Sequence, residues 1–176
     1  MTNDNIPKNE KSIVLTGFMG VGKTTVGQLL ANKLKRPFVD IDDEIEKEYR
    51  MAATEIFKTI GEKAFRQKEI ETVIRHAKQR CKIISLGGGA FMQEKIRGAC
   101  LENCIVVHLD ISWELWKKRM EMLVDTRPIL QNKKIEEIEA LFYKRRNVYS
   151  KSHSTLLTDS NNEEEVAEHI INMLRL

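Results

Sequence analysis

Cysteine is scarce in this sequence: Cys81, Cys100 and Cys104 are the three present among 176 residues. An odd number without metal-ligand spacing speaks against a disulfide framework or a zinc module, and reads as free thiols in a reducing cytoplasm. Long apolar runs are missing as well; none approaches the roughly 20 residues of a membrane-crossing helix, so no membrane partner is expected. Residues 1–11 are polar and lack the apolar core of a secretory signal, and they read as a flexible tail. Nor is there an excess of one charge. The 29 Lys and Arg against 26 Asp and Glu leave a net charge of +3, too small to imply a nucleic-acid or membrane surface as partner. The basic residues are interspersed with acids rather than massed on one segment. No repeat or low-complexity stretch interrupts the chain. What remains is 41% hydrophobic and 31% charged, ordinary for a globular protein, and residues 12–176 are expected to form a single domain with one core.

Against that background one motif stands out. Residues 17–24 read Gly-Phe-Met-Gly-Val-Gly-Lys-Thr, a complete G-x-x-x-x-G-K-[ST] loop. It follows the apolar run Ile13-Val14-Leu15 and precedes a helical pattern beginning at Val26, the strand–turn–helix context that the motif requires. Its glycines let backbone N–H groups wrap a polyphosphate, and the next helix adds its positive end to the same anion. Lys23 is suited to the β/γ-phosphates and the Thr24 hydroxyl to Mg²⁺.

The rest of the chain alternates. Strands are expected at 12–16, 38–41, 82–86, 105–109 and 154–158, and helices at 26–34, 43–57, 62–78, 95–101, 111–122, 135–148 and 163–174. This β/α alternation predicts an α/β fold with a five-stranded parallel sheet between layers of helices. Residues 86–90 and 123–134 fit neither period.

Several polar groups fall where such a fold puts ligands, outside the carboxyl ends of the strands. Asp40 and Asp42 end the second expected strand, where residues two apart share a face. Asp40 is a candidate for the metal and Asp42 for a substrate hydroxyl and its proton; the alternative is that Asp42 and Asp43 cap the next helix, which is the expectation for Asp43. Arg66 and Glu69 are neighbours on one helix, either a solvated pair or an arginine turned into a cleft and oriented by Glu69. Gly87-Gly88-Gly89, after a strand, offers close backbone approach to a ligand, with Ser85 a lesser candidate for a metal's water shell. Arg127 lies in the irregular 123–134 stretch, which reads as a lid; it is either an idle surface residue or a charge for the transferring phosphoryl group. Arg145 falls on the buried stripe with Ile138, Leu141 and Phe142, where a charge needs a partner or a ligand; Arg146 is expected in solvent. Guanidinium pairs suit a carboxylate, so the residues point to a kinase for a small polyhydroxy acid. The competing readings are another small-molecule kinase of the same fold, for gluconate or a nucleoside monophosphate, and an idle nucleotide-binding relative.

The ordered set of the phosphate loop, Phe-Val-Asp-Ile-Asp at 38–42, Gly-Glu-Lys-Ala-Phe-Arg-Gln-Lys-Glu at 61–69, Ser-Leu-Gly-Gly-Gly at 85–89, Thr-Arg-Pro-Ile-Leu at 126–130 and Lys-Arg-Arg-Asn-Val-Tyr at 144–149 resembles the shikimate kinase family over nearly the whole chain. The resemblance implies ATP- and Mg²⁺-dependent phosphorylation of the 3-hydroxyl of shikimate by a cytoplasmic monomer. It implies the nucleoside-monophosphate-kinase fold, a sheet of order 2-3-1-4-5 and a mobile lid at about 123–134. It also implies roles: Gly20, Val21, Gly22, Lys23, Thr24 and Thr25 for ATP, and Thr24 and Asp40 for the metal. Asp42 is implied as base and hydroxyl ligand, Arg66 and Arg145 as carboxylate ligands, and Gly88 as a backbone contact to substrate. Arg127 is implied near the phosphates, Arg119 beside the adenine, and Asn161 or Asn162 in the adenine loop. One departure concerns the turn before Ile56, where the family often has a glycine and this chain has Arg50 and Met51.

Overall fold

The apolar runs at the heart of the sequence become strands buried on both faces. In the computed structural model, which describes residues 6–120 and 132–176, these are β1 (Ile13–Thr16), β2 (Phe38–Asp40), β3 (Ile83–Ser85), β4 (Ile105–Asp110) and β5 (Ser154–Leu157). Every residue of β1, β3 and β4 is buried, as expected of a parallel sheet covered on both sides. The order is β2-β3-β1-β4-β5, with Ile13 opposite both Ile83 and Ile105. The two edges, β2 and β5, alternate in burial instead.

The helices are α1 (Lys23–Leu34), α2 (Ile41–Tyr49), α3 (Ala53–Thr59), α4 (Glu62–Ala77), α5 (Glu94–Asn103), α6 (Trp113–Met120), α7 (Ile135–Tyr149) and α8 (Glu163–Leu174). α1 packs against α8, and α4 against α2 and α5. The last helix has the bounds expected from its apolar stripe of Val166, Ile170 and Leu174, all buried. Cys100 and Cys104 are buried and Cys81 is half-buried, all as free thiols; burial pushes the Cys100 and Cys104 thiols up, the latter to about 12.

Two expectations on secondary structure need correction. The helix foreseen over 43–57 is two helices. α2 ends at Arg50, which adopts the left-handed conformation at φ 54, and the chain restarts at α3, whose Ala53 N–H is capped by Glu46 Oε1 at 2.8 Å. The strand foreseen to Ile41 stops at Asp40, because Asp40 caps α2 with its side chain; Asp42 therefore lies in the first turn of a helix and not on a strand. Residues 8–11 of the expected tail reach the fold: Lys8–Glu10 form a 3-10 turn, Lys11 bridges to Arg80, and Glu10 Oε2 accepts from Arg80 at 3.0 Å. Of the expected lid, residues 123–131, with Arg127, lie outside the described residues.

Candidate active site

The phosphate loop leaves the central strand and is held from three sides. Gly17 passes so close to β4 that a Cβ there would stand 2.5 Å from the Leu109 carbonyl oxygen. Trp116 of α6, fully buried, donates its indole N–H to the Met19 carbonyl at 2.7 Å, and Arg119 Nη1 reaches the Gly20 carbonyl at 3.4 Å. The Phe18 ring sits edge-on to both Trp116 and Phe142, each at 5.1 Å between centroids. Gly22 caps α1 at φ 103, a conformation that only glycine enters at low cost. Lys23 Nζ donates to the loop's own carbonyls at Gly17, 2.8 Å, and Phe18, 3.2 Å.

Beside the loop, the Thr24 hydroxyl donates to Asp40 Oδ2 at 3.0 Å. A hydroxyl and a carboxylate at the start of a phosphate-binding helix are hard oxygen donors, which fit Mg²⁺ shared with phosphate and water. Among the described residues no cluster of three His, Cys, Asp or Glu forms a metal cage. The other oxygen of Asp40 accepts from the Asp43 N–H at 3.2 Å, so the helix cap is Asp40, and Asp43 supplies the capped amide. Asp42, turned into the cleft by α2, has its carboxyl pushed up to about 6 by burial, then by the charge of Asp40, against the pull of Lys23 and Arg66.

The acceptor side is assembled from α4, the 85–89 segment and α7. Arg66 Nη1 donates to Glu69 Oε1 at 2.8 Å. Glu69 is 1% exposed and also accepts from Gln93 Nε2 at 2.6 Å, so the pair is a fixed fork and not a solvated one. Burial raises the Glu69 carboxyl and Arg66 draws it back. The Arg66 guanidinium lies 5.8 and 5.6 Å from the Phe57 and Phe65 rings. Arg145 is 8% exposed and 5.9 Å from the Phe18 ring; burial lowers its pKa, against Tyr149, yet a guanidinium keeps its charge at neutral pH. Tyr149, one turn on, donates to the Gly88 carbonyl and shares a hydrogen bond with Arg145.

Most sequence-derived candidates thus converge on one cleft of about 1270 Å³, lined by Lys23, Thr24, Asp42, Arg66, Gly88 and Arg145, larger than a usual single-ligand pocket. Gly20, Thr25, Asp40 and Ser85 line it too, and Val21, within the loop, is buried. Asn162 takes a different position: it caps α8, accepting from the Glu165 N–H at 2.9 Å, although α8 begins beside the loop, with Glu163 Cγ 3.8 Å from where a Gly22 Cβ would be. Arg146 is not free in solvent; its Nε and Nη2 fork onto Asp110 Oδ2 at 3.2 and 2.6 Å. Sequence reasoning missed Tyr149, Trp116 and Gln93. The first two carry a faint signal, a polar atom on a large ring in an apolar stripe, which when buried takes a hydrogen-bond partner; Gln93 carries none.

Known proteins match both the chain and the fold. The shikimate kinase family model matches residues 19–175. The shikimate kinase of Bacillus subtilis strain 168 is 53% identical over 173 residues, 97% of this chain and 92% of the relative. A structure of Acinetobacter baumannii shikimate kinase in complex with shikimate superposes with a TM-score of 0.87 at 32% identity, covering 94% of this chain and 93% of that one. The shikimate kinase of Bacteroides thetaiotaomicron gives 0.85 at 29% identity over 95% and 99%. With a family match across nearly the whole fold and more than half its residues shared with a relative of similar length, the chain belongs to the shikimate kinase family.

Proposed function

We infer that the protein uses ATP to phosphorylate the 3-hydroxyl of shikimate, forming shikimate 3-phosphate on the route to chorismate and the aromatic amino acids. The observation that carries this reading is the joining, in one cleft, of a phosphate loop to a carboxylate and two arginines from separate helices. ATP on the loop would supply the phosphoryl group, and Thr24 and Asp40 would hold a Mg²⁺ whose charge would offset that of the phosphates. Lys23 leaves its resting carbonyls to meet the β/γ-phosphates. Arg66 and Arg145 take the shikimate carboxylate, so that binding energy goes into orientation. Asp42, beside the phosphate loop, accepts the proton of the 3-hydroxyl as the oxygen attacks in line. Gly88 offers its backbone N–H to the substrate. Arg127 is assigned to the transferring phosphoryl group, Arg119 and the 161–162 turn to the adenine side. The same reading takes the protein as a cytoplasmic monomer whose partners are small molecules.

The test is ADP release by the purified protein with ATP and Mg²⁺, with shikimate, gluconate or AMP as acceptor, for the parent and Asp42→Asn. Shikimate-dependent release that falls about 10²–10⁴-fold in the variant, with ATP affinity unchanged, is expected. Release that requires gluconate or AMP would overturn the acceptor, and near-parental turnover in Asp42→Asn would overturn the base.

A further inference from the structure

The three consecutive glycines at 87–89 are not explained by backbone conformation. None of them is among the positive-φ glycines, which are Gly17, Gly20, Gly22 and Gly61 among the described residues, and Gly89 sits at φ −93, where any residue is comfortable. What they lack is Cβ, and each missing Cβ faces a different working side chain. A Cβ on Gly87 would stand 2.8 and 3.0 Å from the two Asp42 carboxylate oxygens. On Gly88 it would stand 3.2 Å from Arg145 Nη1, and on Gly89 2.9, 3.1 and 3.2 Å from Arg66 Nη2, Nη1 and Cζ. Gly61 and Gly98, by contrast, meet nothing within 4 Å. The run is pinned from below by Tyr149, which donates to the Gly88 carbonyl, and the 3-10 turn Ala90–Met92 follows at once.

We propose that Gly87 and Gly89 are positioning residues: the volume of their absent side chains is the seat that fixes the Asp42 carboxylate and the Arg66 guanidinium relative to one another. The two contacts would be relieved differently from a backbone clash. The atoms in the way are the far ends of flexible side chains, so an added methyl leaves the fold alone and moves the functional group. Restoring ordinary carbon–oxygen separation of about 3.5 Å from 2.8 Å displaces the Asp42 carboxylate by more than half an ångström. Productive geometry tolerates about 0.5 Å, and a misplacement of about 1 Å costs on the order of a hundredfold in rate. At Gly89 the displaced group is Arg66, which is tethered by Glu69 at 2.8 Å. Its fork must tilt away from that anchor, which spoils the paired hydrogen bonds to a carboxylate without touching the base.

This proposal rests on the roles assigned above to Asp42 and Arg66, so those roles are tested alongside it. Gly87→Ala, Gly89→Ala, Asp42→Asn and Arg66→Lys are compared with the parent by steady-state ADP release over a shikimate series and by thermal unfolding. For Gly87→Ala the expected result is kcat lower by about tenfold or more with the shikimate KM within threefold. For Gly89→Ala it is the reverse: a KM about tenfold higher with kcat within threefold. Neither melting temperature should fall, since neither glycine holds a positive φ and the atoms in the way are side-chain ends. Parental kinetics in both glycine variants, or a parallel loss of kcat and KM accompanied by a lower melting temperature, would overturn the proposal while leaving the roles intact. Parental kinetics in Asp42→Asn and Arg66→Lys would overturn the roles, and the proposal with them.

Discussion

Removing one oxygen atom, in Tyr149→Phe, measures how far the acceptor site depends on its hidden brace. The Tyr149 ring is fully buried and tilted against His108 at 5.2 Å between centroids; phenylalanine keeps that packing. Burial pushes the phenol up to about 12, so it is a protonated donor at neutral pH. Its loss strands the Gly88 carbonyl and withdraws an acceptor from Arg145. A neutral hydrogen bond contributes about 1 kcal/mol and one to a charged group about 1.5–3. Arg145 borders the cleft and can turn to water, so the total belongs at the low end, about 2 kcal/mol. In a domain of this size 1 kcal/mol moves the melting temperature by about 2–4 °C, giving a fall of about 4–8 °C. A loosened Arg145 should also raise the shikimate KM about fivefold, which corresponds to ~1 kcal/mol of lost binding, with kcat little changed. Thermal unfolding by circular dichroism and a coupled ADP assay read the two effects separately. An unchanged melting temperature together with an unchanged KM would refute the reasoning; a lower melting temperature alone would confine Tyr149 to the fold.

Arg50→Gly should stabilise the protein by about 0.5–1 kcal/mol, because Arg50 is exposed and holds φ 54, which costs an L-residue roughly 1–2 kcal/mol against the smaller entropic cost of glycine; a melting temperature at or below the parent's would contradict this. His108 is 2% exposed, and burial, with Arg146 and Lys23, holds it well below the ordinary histidine value despite Asp110. The unfolded chain therefore takes up a proton that the folded chain refuses as pH falls below about 6.5, and stability is lost at up to about 1.4 kcal/mol per pH unit until the folded value is reached. Urea unfolding of the parent and His108→Gln should show their difference narrowing through that window, and a constant difference would exclude His108 as the source. Trp116→Phe removes the donor to the Met19 carbonyl and should raise the ATP KM about threefold with the shikimate KM unchanged; the opposite pattern would separate Trp116 from the phosphate loop.

The sequence made the donor half of the site readable because that half is local. The loop, its lysine and its threonine are contiguous, and strand and helix flank them as the motif requires. Asp42 was found for an imperfect reason: the strand ends at Asp40, and the residue reaches the cleft from the first turn of α2. The acceptor half depends on which side chains meet across long stretches of chain. Arg145 was legible because a charge on an apolar stripe is an anomaly that one sequence displays. The clamp of Glu69 by Gln93 and the seating of three side chains on three glycines were not, since nothing in residue spacing says what stands opposite a missing Cβ. The αL residue at Arg50 showed only through the resemblance, as a turn without its usual glycine, because local propensity by itself favours continuing the helix.

The distribution of the three cysteines makes the protein a convenient object to attach. Cys100 and Cys104 are sealed in the interior with thiols too weakly acidic to react. Cys81 is half-buried just ahead of β3, at the amino end of the parallel sheet, while substrates enter over the carboxyl ends. A maleimide dye or a surface tether would therefore join the molecule at one natural position and hold it with its cleft facing outward.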